Sequence, residues 1–115
     1  MQGDLVNEYT GDEMVRIMAA LSNPHRMRVV ATLVRGATYV SQLARELEIS
    51  RPLLQVHLRR LEAAGLVTSQ LRISEEGKAM KFYSIEPFAL QLSPESIARG
   101  ASSLSLPDTE EGSER

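Results

Sequence analysis

Apolar residues recur along this chain with two periods, and the changes from one period to the other divide it into elements. Met14, Ile17, Met18 and Leu21 are spaced 3, 1 and 3 apart, so they share one helical face. Thr10 and Glu13 precede and open that run as a capping box, with Thr10 at the N-cap and Glu13 at N3. Asn23-Pro24 predicts a second helix start, Asn as the cap and Pro in the first turn. Its apolar face is expected at Met27, Val30, Ala31 and Val34, and Gly36 is its stop. Thr38-Tyr39-Val40 is β-prone. A third helix is predicted from Val40 or Ser41 to Glu48, with Leu43, Ala44 and Leu47 inward. After the turn Ile49-Ser50, Ser50 caps a fourth helix over about 51–64. There Leu54, Leu58 and Leu61 make a narrow stripe at i, i+4 and i+7, and Gly65 ends the helix.

The pattern then shortens. Leu66–Ser74 and Met80–Ile85 are β-prone runs around the polar turn Glu75-Glu76-Gly77-Lys78, which predicts a hairpin over 66–86. Ser93-Pro94 opens a last helix, expected to run to about Leu104, with Ile97, Ala101 and Leu104 on one face. Residues 1–9 are expected to be a flexible N-terminus. Residues 107–115, rich in acids and Ser, are expected to be a disordered acidic tail. Between them, 10–106 reads as one domain, mainly α with a small β-hairpin. The order is helix, helix, helix–turn–helix, hairpin, helix, which is a winged helix-turn-helix.

Composition changes this picture in two places. Aromatics are 4% of the 115 residues, so the core must rest on aliphatic side chains. The formal net charge is −2, which taken alone argues against a nucleic-acid partner. Its distribution argues the other way. Residues 24–81 carry ten Lys or Arg against five Glu, between two acidic ends. A local basic field governs phosphate attraction more than the total does. The chain has no cysteine, which removes disulfides, thiolate metal sites and thiol redox sensing. No signal-peptide pattern and no apolar run of roughly 18 residues is present, so no membrane partner is expected and the cytoplasm is the expected location.

The segments Leu21–Arg28, Val40–Ala44, Ile49–Leu61 and Ala64–Val67 (LSNPHRMR, VSQLA, ISRPLLQVHLRRL and AGLV) together resemble the ArsR/SmtB-type transcription regulators. The resemblance covers about Met14 to Glu86. It implies a cytoplasmic homodimer that binds double-stranded operator DNA, usually as a repressor, with the first and last helices forming the dimer contact. The residues expected there are Met14, Ile17, Met18, Leu21, Ile97, Ala101 and Leu104.

With Leu54, Leu58 and Leu61 turned to the core, Arg51, Gln55, Val56 and Arg59 lie on or near the opposite face of the helix. Gln reads adenine with two hydrogen bonds, Arg reads guanine, and Val56 suits a thymine methyl group. Arg45 and Arg60 are placed for phosphates, and Ser50 with the helix N-terminus suits another. Leu53 either packs against the preceding helix or makes an apolar base contact. On the hairpin, Arg72, Lys78 and Lys81 are candidates for phosphates or the minor groove, whereas Glu75 and Glu76 would be repelled at the tip.

The chain departs from the metal-sensing members of that family. Tyr39 and Ser41 stand where those carry thiolates, and the last helix offers Glu95 and no His. The two histidines, His25 and His57, lie in different helices with nothing clustered around them. Zinc needs three or four ligands, so no metal and no cofactor is expected. His57 is expected at the core edge, hydrogen-bonded to backbone, and His25 exposed. Met14, Met18, Met27 and Met80 read as core rather than as an adaptable pocket. The inducing signal is left open between a small molecule, a partner protein and the chain's own abundance. No nucleophile–base constellation or Gly-rich phosphate loop is present, so an enzyme is not expected. A winged-helix protein-interaction module and a non-specific architectural DNA binder are the other readings. Arg51, Gln55, Arg59 and Arg60 on one helix favour DNA.

Overall fold

The computed structural model describes residues 9–105. The N-terminus expected to be flexible, but for Tyr9, and the tail expected over 107–115 lie outside the described residues. The elements in chain order are α1 (Gly11–Leu21), α2 (Pro24–Val34), β1 (Thr38–Tyr39), α3 (Val40–Leu47), α4 (Arg51–Ala63), β2 (Val67–Ile73), β3 (Ala79–Ile85) and α5 (Pro94–Ala101). They fall into two compact units, 17–88 and a second made of the segments up to 16 and from 89.

In the unit 17–88 the caps are those the sequence announces. Asn23 Oδ1 accepts from the Arg26 N–H at 3.1 Å, with Pro24 in the first turn of α2. Ser50 Oγ accepts from the Leu53 N–H at 3.3 Å and opens α4. Both helices of the helix–turn–helix end in a Schellman motif. At the end of α4 the Leu66 N–H reaches Leu61 O at 3.0 Å and the Gly65 N–H reaches Glu62 O at 2.9 Å, with Gly65 at φ +78°. At the end of α3 the Ile49 N–H reaches Ala44 O at 3.2 Å and the Glu48 N–H reaches Arg45 O at 3.3 Å. Here the left-handed position is held by Glu48, φ 58° and ψ 45°, without the freedom of a glycine.

The most deeply buried side chains of this unit are aliphatic apart from Tyr83. Val29, Leu33, Leu43, Leu54, Leu58, Leu61, Leu66, Val67 and Tyr83 are all at most 2% exposed. The face chosen for α2 is corrected. Its buried residues are Arg26, Val29 and Leu33, while Met27 and Val34 are 60% and 67% exposed and Ala31 is exposed. This helix is apolar on two sides, so spacing alone did not decide which side the core took. Nor do the methionines act together as core: Met14 is buried, Met18 and Met80 are half-buried, and Met27 is exposed.

The hairpin is part of a three-stranded antiparallel sheet in the order β1–β3–β2. Thr38 pairs with Tyr83 and Tyr39 with Phe82, which makes the β-prone segment before α3 a true strand. The β2–β3 ladder runs from Val67–Ile85 to Ile73–Ala79. Alternate residues share a face, and burial fades along that face: Val67 and Tyr83 are buried, Leu71 and Ile73 are wide open. The far end of the hairpin therefore projects past the helices as a wing.

In the other unit, Thr10 and Glu13 form the expected capping box, with each side chain bonded to the other's N–H at 2.8 and 3.1 Å. Ser93 caps α5, with its Oγ accepting from the Ser96 N–H at 3.1 Å. The helix stops at Ala101 rather than near Leu104, which lies in the turn beyond. Gly11 and Gly100 touch: a Cβ on Gly11 would lie 2.1 Å from Gly100 O. Ser103 Oγ accepts from the Gly11 N–H at 2.8 Å, and the Ser105 N–H and hydroxyl both donate to the Asp12 carboxylate. Those two donors hold the Asp12 carboxyl below the usual carboxylate range.

Candidate nucleic-acid interface

The expected DNA-binding residues lie on α3, α4 and the β2–β3 hairpin of the unit 17–88. On α4 the leucine stripe buries one side completely, and the opposite side carries Val56, Arg59 and Arg60, all exposed, with Arg51 (exposed) and Gln55 (half-buried) at the edge of the stripe. Arg45 is exposed on α3. The Ser50 hydroxyl is engaged as the cap of α4, so the Ser50 contribution to an anion would come from its place at the helix N-terminus. Leu53 is 41% exposed, so neighbours inside the chain cover only part of it.

Four of these residues meet. Arg51 and Gln55 from the start of α4, with Lys78 and Lys81 from the wing, line one open cleft of about 680 Å³, together with Ser41 and Met80. Side chains from the first helical turns and from the hairpin thus share one concavity. Arg59, Arg60 and Arg45 are outside it. Arg72 is held by its own neighbours. Its guanidinium lies 4.1 Å over the Phe82 ring and donates twice to Gln70 Oε1 at 3.3 Å. Phe82 in turn meets the Tyr39 ring edge-on at 4.8 Å. Gln70 and Phe82 were not singled out from sequence, and Tyr39 only as standing where metal-sensing members carry a thiolate; the i, i+2 spacing of Gln70 and Arg72 on one strand was the available signal. Glu75 and Glu76 are exposed at the wing turn.

The two histidines are corrected. Though they lie in different helices, their ring centroids are 5.3 Å apart. His25 is half-buried rather than exposed, and His57 is 6% exposed. The partner of His57 is no backbone group. Arg26 Nη1 donates to His57 Nδ1 at 3.1 Å, while Arg26 Nε donates to Ala20 O at 2.6 Å. Because a guanidinium only donates, Nδ1 must be the acceptor, so the imidazole is neutral with its proton on Nε2. That Nε2 is buried without a partner among the described residues. Burial, then the Arg26 charge, hold the His57 pKa below the ordinary histidine value.

Among the described residues there is no group of three or more His, Asp or Glu side chains placed to hold a metal ion. None of the described helices is long and apolar enough to cross a membrane. Of the residues expected at a dimer contact, Ile97, Ala101 and Leu104 are exposed and Met18 and Leu21 half-buried. Met14 and Ile17 are already buried within the chain, at 3% and 4% exposure, and so have little surface left to offer.

Comparison with known proteins bears on the fold and the family. The family described as "Helix-turn-helix domain" matches residues 21–70. An HTH-type transcriptional regulator of Methanocaldococcus jannaschii is 37% identical over 87 residues, spanning 76% of this chain and 90% of the relative. The biofilm growth-associated repressor of Xylella fastidiosa is 31% identical over 68 residues, spanning 59% of this chain and 60% of the relative. A solved structure from Mycobacterium bovis is the homodimeric winged helix-turn-helix DNA-binding domain of a possible ArsR-family regulator. It superposes with a TM-score of 0.56 at 24% identity, covering 76% of this chain and 70% of that one. The chain belongs to the helix-turn-helix transcriptional regulators, DNA-binding proteins by trade, and its winged fold is that of the ArsR type.

Proposed function

We propose that this chain is a homodimeric, sequence-specific repressor that acts in the cytoplasm by occupying operator DNA, with helix 51–64 in the major groove and the 66–86 hairpin as its wing. The observation that carries this reading is the shared cleft of Arg51, Gln55, Lys78 and Lys81. It sets an arginine and a glutamine, side chains suited to base edges, beside two lysines suited to phosphates. Arg51, Gln55 and Arg59 read base edges, and Val56 meets a thymine methyl. Arg45, Arg60, Lys78 and Lys81 neutralise phosphates, and Ser50 at the helix N-terminus receives another. Arg72, braced on Phe82, enters the groove beside the wing. The Mycobacterium bovis neighbour is a homodimer, and here Ile97 and Ala101 of α5, with Leu104 in the turn beyond, offer exposed apolar side chains for such a contact. The repressor assignment follows the named activity of the Xylella relative. The reading assigns no enzymatic role, and an effector would act on the binding equilibrium.

Genome-wide mapping of binding sites tests this. Sharp peaks at promoters that share a two-fold sequence motif are expected. In a binding-site selection, Arg51→Ala or Gln55→Ala should relax preference at particular positions, each costing about 1–3 kcal/mol of discrimination. Unchanged preference would sink the assignment.

A further inference from the structure

The open face of α4 carries an apolar patch that phosphate and hydrogen-bonding contacts leave unused. Pro52, Leu53 and Val56 are all exposed, Leu53 and Val56 at 41% each. Val56 lies four residues from Pro52 and three from Leu53, so the three side chains are neighbours on the helix surface. None belongs to the core, which α4 reaches through Leu54, His57, Leu58 and Leu61. The patch occupies the first two turns, immediately after the Ser50 cap. Arg51 flanks it before, and Arg59 and Arg60 follow one turn later, all exposed. An apolar patch ringed by fixed cations is matched by a polyanion that also presents apolar groups. The major groove of B-DNA is such a surface, because thymine displays a C5-methyl there between two rows of phosphates.

We propose that Pro52, Leu53 and Val56 together form a thymine-methyl reader, so that each operator half-site sets one or two thymines opposite the first two turns of α4. This rests on the reading of α4 as the helix that enters the major groove. It adds Pro52 and Leu53 to the specificity residues and fixes a chemical feature of the DNA. Covering a methyl group is worth roughly a threefold to fivefold change in affinity.

The test uses the full chain and a DNA site obtained by selection from random sequence. Each thymidine of the site is replaced in turn by 2′-deoxyuridine, which keeps every hydrogen-bonding group and lacks only the methyl. Binding is expected to weaken about threefold to fivefold at one or two positions per half-site. Leu53→Ala and Val56→Ala should each reduce that thymidine-to-deoxyuridine difference at the matching position. Both residues are exposed and Ala favours the helix, so these variants keep the fold. The proposal is overturned if no position responds to deoxyuridine, or if the response is the same in both variants. Variants that bind the site with unchanged affinity and preference also overturn it and give the patch to a protein partner. Selection that yields no preferred sequence overturns it as well. That result alone brings down the sequence-specific reading of α4 with it.

Discussion

Glu48 and His57 show how single side chains in this fold are held against their own preferences. Glu48 occupies a left-handed backbone position that the end of α4 gives to Gly65, with the same pair of hydrogen bonds around it. A side chain there is strained, while glycine pays more chain entropy on folding. The balance predicts that Glu48→Gly stabilises the chain by about 0.5–1 kcal/mol, read by denaturant unfolding. His57 is kept neutral by burial and by Arg26, with the His25 ring and the Arg60 charge adding to the effect. Its pKa is lower folded than unfolded, so between those two values the unfolded chain binds more protons. Stability from this site is therefore fully present above the ordinary histidine pKa of about 6.5 and lost as pH falls below it. Thermal melts from pH 8 to pH 5 should fall more steeply for the native chain than for His57→Gln; equal slopes would refute the assignment. The sequence placed His57 near the core but not beside Arg26 and His25. Contacts across 31 residues of chain have no local signature.

At the scale of elements, helix starts were the most legible feature, because a cap is a local device: Thr10, Asn23, Ser50 and Ser93 each sit where Ser, Thr or Asn precedes Gly, Pro or Arg. The α4 stripe was legible too, since Leu54, Leu58 and Leu61 are the only large aliphatic residues on their side. The buried side of α2 was not, because Met27, Val30 and Val34 compete with Val29 and Leu33 and only tertiary packing chooses. Of the candidate site, the side chains on α4 were readable from helical period. Their meeting with Lys78 and Lys81 depends on how the sheet docks and was not. Two substitutions test the packing of elements. Leu58→Ala, fully buried on α4, should cost about 2–5 kcal/mol. Gly11→Ala would drive a methyl into the Gly100 carbonyl. Because backbone and not a flexible side chain must move, a loss of roughly 1–3 kcal/mol is expected in the unit that α1 opens.

For the molecule as a whole, charge arrangement governs the expected behaviour on DNA. Despite the net charge of −2, the basic centre should give binding that weakens steeply with salt. If a dimer neutralises about six phosphates, the slope of log affinity against log salt is about −5. A slope near zero would mean that the cations of α4 and the wing do not reach phosphates. The dimer is tested separately by sedimentation of Ile97→Asp. This side chain is half exposed, so a charge there leaves the single chain folded and should shift the species towards monomer.

β1 ends at Tyr39 and α3 begins at Val40, with no residue between them. The strand that pairs with the wing is thus the last step of the chain before the helix–turn–helix begins. Through Tyr39 the first turn of α3 is joined to Phe82, and through the Phe82 ring to the Arg72 guanidinium, in one unbroken run of contacts. A displacement at the strand edge would thus reach the start of the helix–turn–helix without passing through any loop.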